Sequence, residues 1–134
     1  MTRPLPSPVT YGPITRTDLV RYAGASGDFN PLHHDHAFAT GAGLPDVMAH
    51  GMFSAGLLGS AVTGWVRSGT VWRYAVEILR PFLPGGVLTA RCLSIEGASK
   101  KDELALALEL VRADGQPVIS ACASVIIPSE VFHG

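Results

Sequence analysis

The spacing of apolar residues along the chain changes character once, near residue 70. Before that point lies an uncharged stretch, GMFSAGLLGSAVTGWV, from Gly51 to Val66. It predicts a helix that is apolar nearly all round and wrapped by protein on most sides. It is shorter than the roughly 20 residues that a bilayer span needs. His50 and Arg67 bound it and four glycines interrupt it, so no membrane segment is expected. Small residues at Ala55, Gly56, Gly59, Ser60, Ala61 and Gly64 would let a sheet approach closely.

After residue 70 the period falls to two. TVWRYAVEILRPF places Trp72, Tyr74, Val76 and Ile78 on one face. GVLTARCLSIEG follows a turn at Pro84-Gly85-Gly86, and ELALALELVRAD puts Leu104, Leu106, Leu108 and Leu110 on one face. QPVISACASVIIP follows the turn at Asp114-Gly115. Four strands joined by short turns predict an antiparallel sheet. Upstream, TRTDLVRYAGASGD reads as a short helix with Thr15 or Thr17 as N-cap, ending at Gly24 and Gly27. A second short helix starts near Asp35, covers HAFAT and stops at Gly41. Neither the apolar helix nor the sheet can bury itself alone, so the class is α+β with the sheet covering the helix.

Composition narrows the picture without redirecting it. The 134 residues are 47% hydrophobic and 16% charged, which fits one domain over 1–134 with one core. A net charge of −1 without a basic run argues against nucleic acid as a partner. Cys92 and Cys122 sit in alternating apolar segments and read as reduced, buried thiols of a cytoplasmic protein. The N-terminal MTRPLPSPVTY has no apolar h-region, so no secretory signal is expected.

The chemistry concentrates in SGDFNPLHHDHAF, Ser26 to Phe38. Asp28 and His33 stand five apart across Pro31, which forbids a continuous helix between them. A loop can turn both side chains toward one water. Plainer roles remain open at this point: Asp28 as an Asx-turn residue, and His33 as a hydrogen-bonded structural histidine. The run His33-His34-Asp35-His36 suggests metal, but consecutive side chains diverge and no further Cys/His pair completes a zinc set, so no metal is expected. Ser26 lacks the G-x-S-x-G context of a nucleophile.

Tyr22, Ser26-Gly27-Asp28, Asn30-Pro31, His33 and Asp35, followed by His50-Gly51-Met52 opening the apolar helix, form a pattern that resembles the MaoC-like, R-specific enoyl-thioester hydratase family. GSAVTGWV and YAVEILRPFLPGG make it look most like the actinobacterial fatty-acid-elongation dehydratase subunits. The resemblance implies a single hot-dog fold, an antiparallel sheet wrapped around a long central helix. It implies that Asp28 and His33 are the acid–base pair and that Gly51 offers its N–H to the thioester carbonyl. Ser26, Asn30 and His50 would support them, and Met48, Met52, Phe53 and Leu57 would line the acyl chain. No cofactor is implied beyond the carrier, coenzyme A or acyl carrier protein. The partner would be a second hot-dog subunit, in a homodimer or a heterodimer. Departures at Glu77, Ile78 and Gly86 touch acyl and carrier preference more than chemistry. The competing readings are a hot-dog thioesterase and a non-catalytic partner subunit.

Overall fold

A computed structural model describes residues 3–98 and 100–128. In chain order it runs β1 (Val9–Tyr11), α1 (Arg16–Ser26), a 3-10 turn (Pro31–His33), α2 (His36–Gly41), α3 (Gly51–Val66), β2 (Thr70–Ile78), β3 (Leu88–Gly97), β4 (Glu103–Arg112) and β5 (Pro117–Ile126). The sheet order is β1-β3-β4-β5-β2, with every neighbouring pair antiparallel. β2, β3, β4 and β5 all contact α3, so the sheet curls around the helix in the hot-dog arrangement.

Local chemistry explains most boundaries. Thr15 caps α1 in a reciprocal capping box with Asp18. The Thr15 N–H and hydroxyl hold the Asp18 carboxyl below the usual carboxylate range. Gly27, at φ 76, ends α1 in the left-handed conformation that glycine adopts at little cost. Asp35 caps α2 through the Phe38 N–H. The inward faces of β4 and β5 supply Leu104, Leu106, Leu108, Leu110, Val118, Ile119, Ala123 and Val125, which pack with Leu58, Ala61 and Val62 of α3. Fully burying a leucine-sized side chain contributes about 1.5–3 kcal/mol. The pairing slips at Val71/Arg73, Cys92/Ser94 and Leu110/Val111. Such bulges bend and twist strands, and they let one sheet wrap a helix.

Several expectations need correction. The sheet has a fifth strand, β1, three residues long. Gly24 lies inside α1, and Gly27 alone ends it. The slip in β2 takes Trp72 off the inward face and leaves it 54% exposed, with its indole N–H donating to Glu103. Cys92 is buried, but Cys122 is exposed on the outward face of β5. α3 is covered on most sides, but Met52, Gly56, Ser60, Thr63 and Gly64 form one exposed flank. Among the described residues, no helix is long and apolar enough to cross a membrane.

Candidate functional site

The segment after α1 is shaped by a relay of side-chain-to-backbone hydrogen bonds. The Ser26 hydroxyl accepts from the Asp28 N–H at 3.2 Å, and Asp28 Oδ1 accepts from the Asn30 N–H at 3.2 Å. Asn30 Oδ1 accepts from the Leu32 N–H at 3.0 Å and so caps the 3-10 turn. Asn30 therefore holds the loop backbone, not the His33 ring. Asp28 fills the Asx-turn role with Oδ1 while Oδ2 stays free for other work.

That free oxygen faces His33. Asp28 Oδ2 lies 3.8 Å from His33 Nε2, with the Asp28 side chain 53% exposed and the His33 side chain 11%. The gap is too long for a direct hydrogen bond and suits a bridging water. His33 Nδ1 lies 2.8 Å from the Met48 carbonyl oxygen. A carbonyl can only accept, so Nδ1 carries the proton and Nε2 turns its lone pair toward Asp28. One ring nitrogen anchors the imidazole and the other is left for proton transfer.

His50 lies beneath this pair. It is 1% exposed, and its ring stacks on His33 with centroids 3.7 Å apart at 23°. His50 Nε2–H donates to the Asp28 carbonyl at 3.0 Å, and Nδ1 has no partner. Tyr22 meets the His50 ring edge-on at 4.8 Å and the Phe53 ring at 5.5 Å. His50 is also the N-cap of α3, yet its side chain makes no capping hydrogen bond. The first N–H groups of a helix have no intrahelical acceptor. Gly51 opens the helix directly after His50, at the positive end of the helix dipole.

Asp28, His33 and His50 bring ligand-type atoms within 4.8 Å of one another. Two nearly parallel stacked rings do not aim their lone pairs at one point, and His50 Nε2 is already committed to a carbonyl. The arrangement suits proton transfer better than ion binding. Among the described residues, the other histidines point elsewhere. His34 Nε2–H donates to the Phe29 carbonyl at 3.1 Å, and His36 pairs with Asp46 at 3.0 Å. His36, with the Val47 N–H and Arg16, holds the Asp46 carboxyl below its ordinary range.

The residues expected along the acyl chain divide between two hollows. Phe53 and Leu57 line a cavity of about 480 Å³ with Tyr11, Ile14 and Tyr22. Met52 lines a second, of about 520 Å³, with Tyr22, Gly59 and Tyr74. Met48 lies in neither, and its backbone is what serves the site. Sequence reasoning missed this carbonyl, the wall formed by Tyr22 and the His50–His33 stack. Tyr22 belongs to the motif, so its place in the pattern was the available signal. A backbone acceptor leaves no mark on residue identity.

A family model described as "MaoC like domain" matches residues 5–110. A Mycobacterium tuberculosis protein named 3-hydroxyacyl-thioester dehydratase X is 37% identical over 59% of this chain and 28% of its own length. An (R)-specific enoyl-CoA hydratase from Rhodospirillum rubrum is 29% identical over 87% of this chain and 81% of its own. The chain spans less than a third of the length of the first of these. Among solved structures, the ChsH1-ChsH2 complex from Mycobacterium tuberculosis superposes with TM-score 0.83 at 17% identity, covering 96% of this chain and 98% of that one. At that identity the likeness speaks for the fold alone.

Proposed function

The chain belongs to the MaoC-like domain family, and from that premise we propose that it is a hydratase/dehydratase, interconverting trans-2-enoyl and (R)-3-hydroxyacyl thioesters of coenzyme A or acyl carrier protein. The observation that carries the reading is the free Asp28 Oδ2 set 3.8 Å from a His33 Nε2 whose partner nitrogen is already anchored. Water held between them gives a proton to His33 Nε2, and its oxygen adds to Cβ of the enoyl group. Negative charge moves to the thioester oxygen, where the Gly51 N–H receives it. The imidazolium then returns the proton to Cα, so H and OH have been added and the enzyme is restored. Asp28 orients the water and offsets the charge on His33.

The names of the relatives support this reaction class, and the intact pair argues against a subunit that has lost chemistry. A second hot-dog subunit, identical or not, completes the acyl channel. Its place is the open flank of α3, beside the β2 edge of the sheet. Purified protein given trans-2-enoyl-CoA thioesters of increasing length, alone and with a second hot-dog subunit, tests the proposal. Loss of enoyl absorbance without free thiol is the expected result. Thiol release would make it a thioesterase.

A further inference from the structure

We propose that His50 is the positioning residue of the acid–base pair: a single buried ring that sets the separation of Asp28 and His33 and fixes both to the start of α3. This rests on the reading of Asp28 and His33 as the reacting groups.

Packing alone does not explain an imidazole at this position. A phenyl ring would stack on His33 and meet Tyr22 without leaving a buried nitrogen unpaired, as His50 Nδ1 is. What the imidazole adds is Nε2–H, which donates to the Asp28 carbonyl at 3.0 Å. A glutamine would supply a donor of similar reach but no flat face for His33. Of these three, only the imidazole does both. The Asp28 carbonyl also sets which nitrogen of the ring carries its proton. Since Gly51 follows His50 directly, the N–H donor and the acid–base pair are registered to one another through one residue.

Two variants separate the two contacts. His50→Phe keeps the stack and removes the donor; His50→Gln keeps a donor and removes the stack. Each is measured for kcat and KM on the same enoyl-CoA, with circular dichroism to confirm folding. His50→Phe is also placed in an Asp28→Asn background. A displacement of about 1 Å can cost about 10²-fold in rate. The expectation for His50→Phe is a loss of about 10- to 10²-fold in kcat, with KM changed less than about threefold. His50→Gln should lose less kcat than His50→Phe. In the Asp28→Asn background, His50→Phe should add less than about threefold, because the group it positions is gone. Wild-type kcat in folded His50→Phe would overturn the proposal, as would an equal loss in both backgrounds. Nitrogen NMR of the wild-type histidines gives a readout that needs neither variant. It should show Nε2–H on His50 and Nδ1–H on His33, and the reverse tautomer on His50 would overturn the proposal. A wild type that hydrates no enoyl thioester would remove the proposed function itself, whereas an active wild type with a silent His50→Phe would remove only the role of His50.

Discussion

The N-terminal corner of α3 and the open flank of the same helix are built on opposite rules. At the corner, Ser26, Asp28, Asn30, His33 and His50 are tied to named backbone atoms, and the rings of His33, His50 and Tyr22 pack on one another. Along the flank, Met52 is 60% exposed, and a Cβ added at Gly56 or Gly64 would meet nothing within 4 Å. Beside that flank runs β2, an edge of the sheet. The corner holds its groups in place within one chain; the flank leaves small side chains and an unpaired strand edge facing outward. Unpaired edges and exposed apolar faces attract other chains. Under the function proposed above, the contrast separates two tasks: chemistry is organised by the chain itself, and enclosure of the substrate falls to a neighbour.

The corner should fail hardest when its reacting groups are changed. Asp28→Asn and His33→Ala should each lower turnover by about two to four orders of magnitude, the scale of a positioned acid or base. Circular dichroism should stay unchanged for Asp28→Asn, since that side chain is half-exposed.

Gly51 gives the next largest effect. Removing one oxyanion donor typically costs about 10²–10³ in turnover, and Gly51→Val should lose a similar amount by pushing the carbonyl out of line. A Cβ at Gly51 would run into Ile78 Cδ1, the end of a half-exposed side chain. Gly51→Val with Ile78→Ala therefore sharpens the result. If the double variant stays inactive, the Cβ obstructs the substrate; if it recovers, the clash with Ile78 was the cause.

The flank predicts a change in assembly before a change in fold. Light scattering of the 14.1 kDa chain should report a dimer, or a dimer once a second hot-dog subunit is added. Gly56→Trp should shift it toward monomer while circular dichroism stays constant. A stable, fully active monomer would break the division of tasks drawn above.

Tyr74 gives the smallest effect. Its hydroxyl donates to the Ala55 carbonyl at 2.7 Å, and burial raises its pKa from 10.0 to about 12. Tyr74→Phe should cost about 1 kcal/mol, the net worth of one such hydrogen bond. The raised pKa means the folded state holds this proton more tightly than the unfolded chain. The stability linked to it is complete below pH 10 and is lost as pH rises from 10 toward 12. Denaturant titrations across that range should show a flatter decline in Tyr74→Phe than in wild type.

The sequence made the scaffold legible where local rules decide it. Thr15, Gly27 and Asp35 end or begin helices as their side chains require, and the leucines of β4 alternate onto one face. It was silent where partners are distant. β1 is short and joins the sheet only by pairing with β3, so its three residues carry too little pattern to predict. The bulge that turns Trp72 outward depends on the register against β5. In the site, the order Asp28, Asn30, His33 marked the loop, but the Met48 carbonyl and the His50–His33 stack join residues 15 and 17 positions apart. Spacing along the chain does not encode such contacts.

The central claim is that Asp28 and His33 of the same chain act on one water. It is tested by co-expressing Asp28→Asn with His33→Ala, so that mixed dimers form, and assaying enoyl-CoA hydration. With both groups supplied by one chain, every site in the mixture lacks one of them, and activity should stay at the level of the separate variants. Recovery toward a substantial fraction of wild-type turnover would mean that the pair is assembled across two chains, contradicting the account.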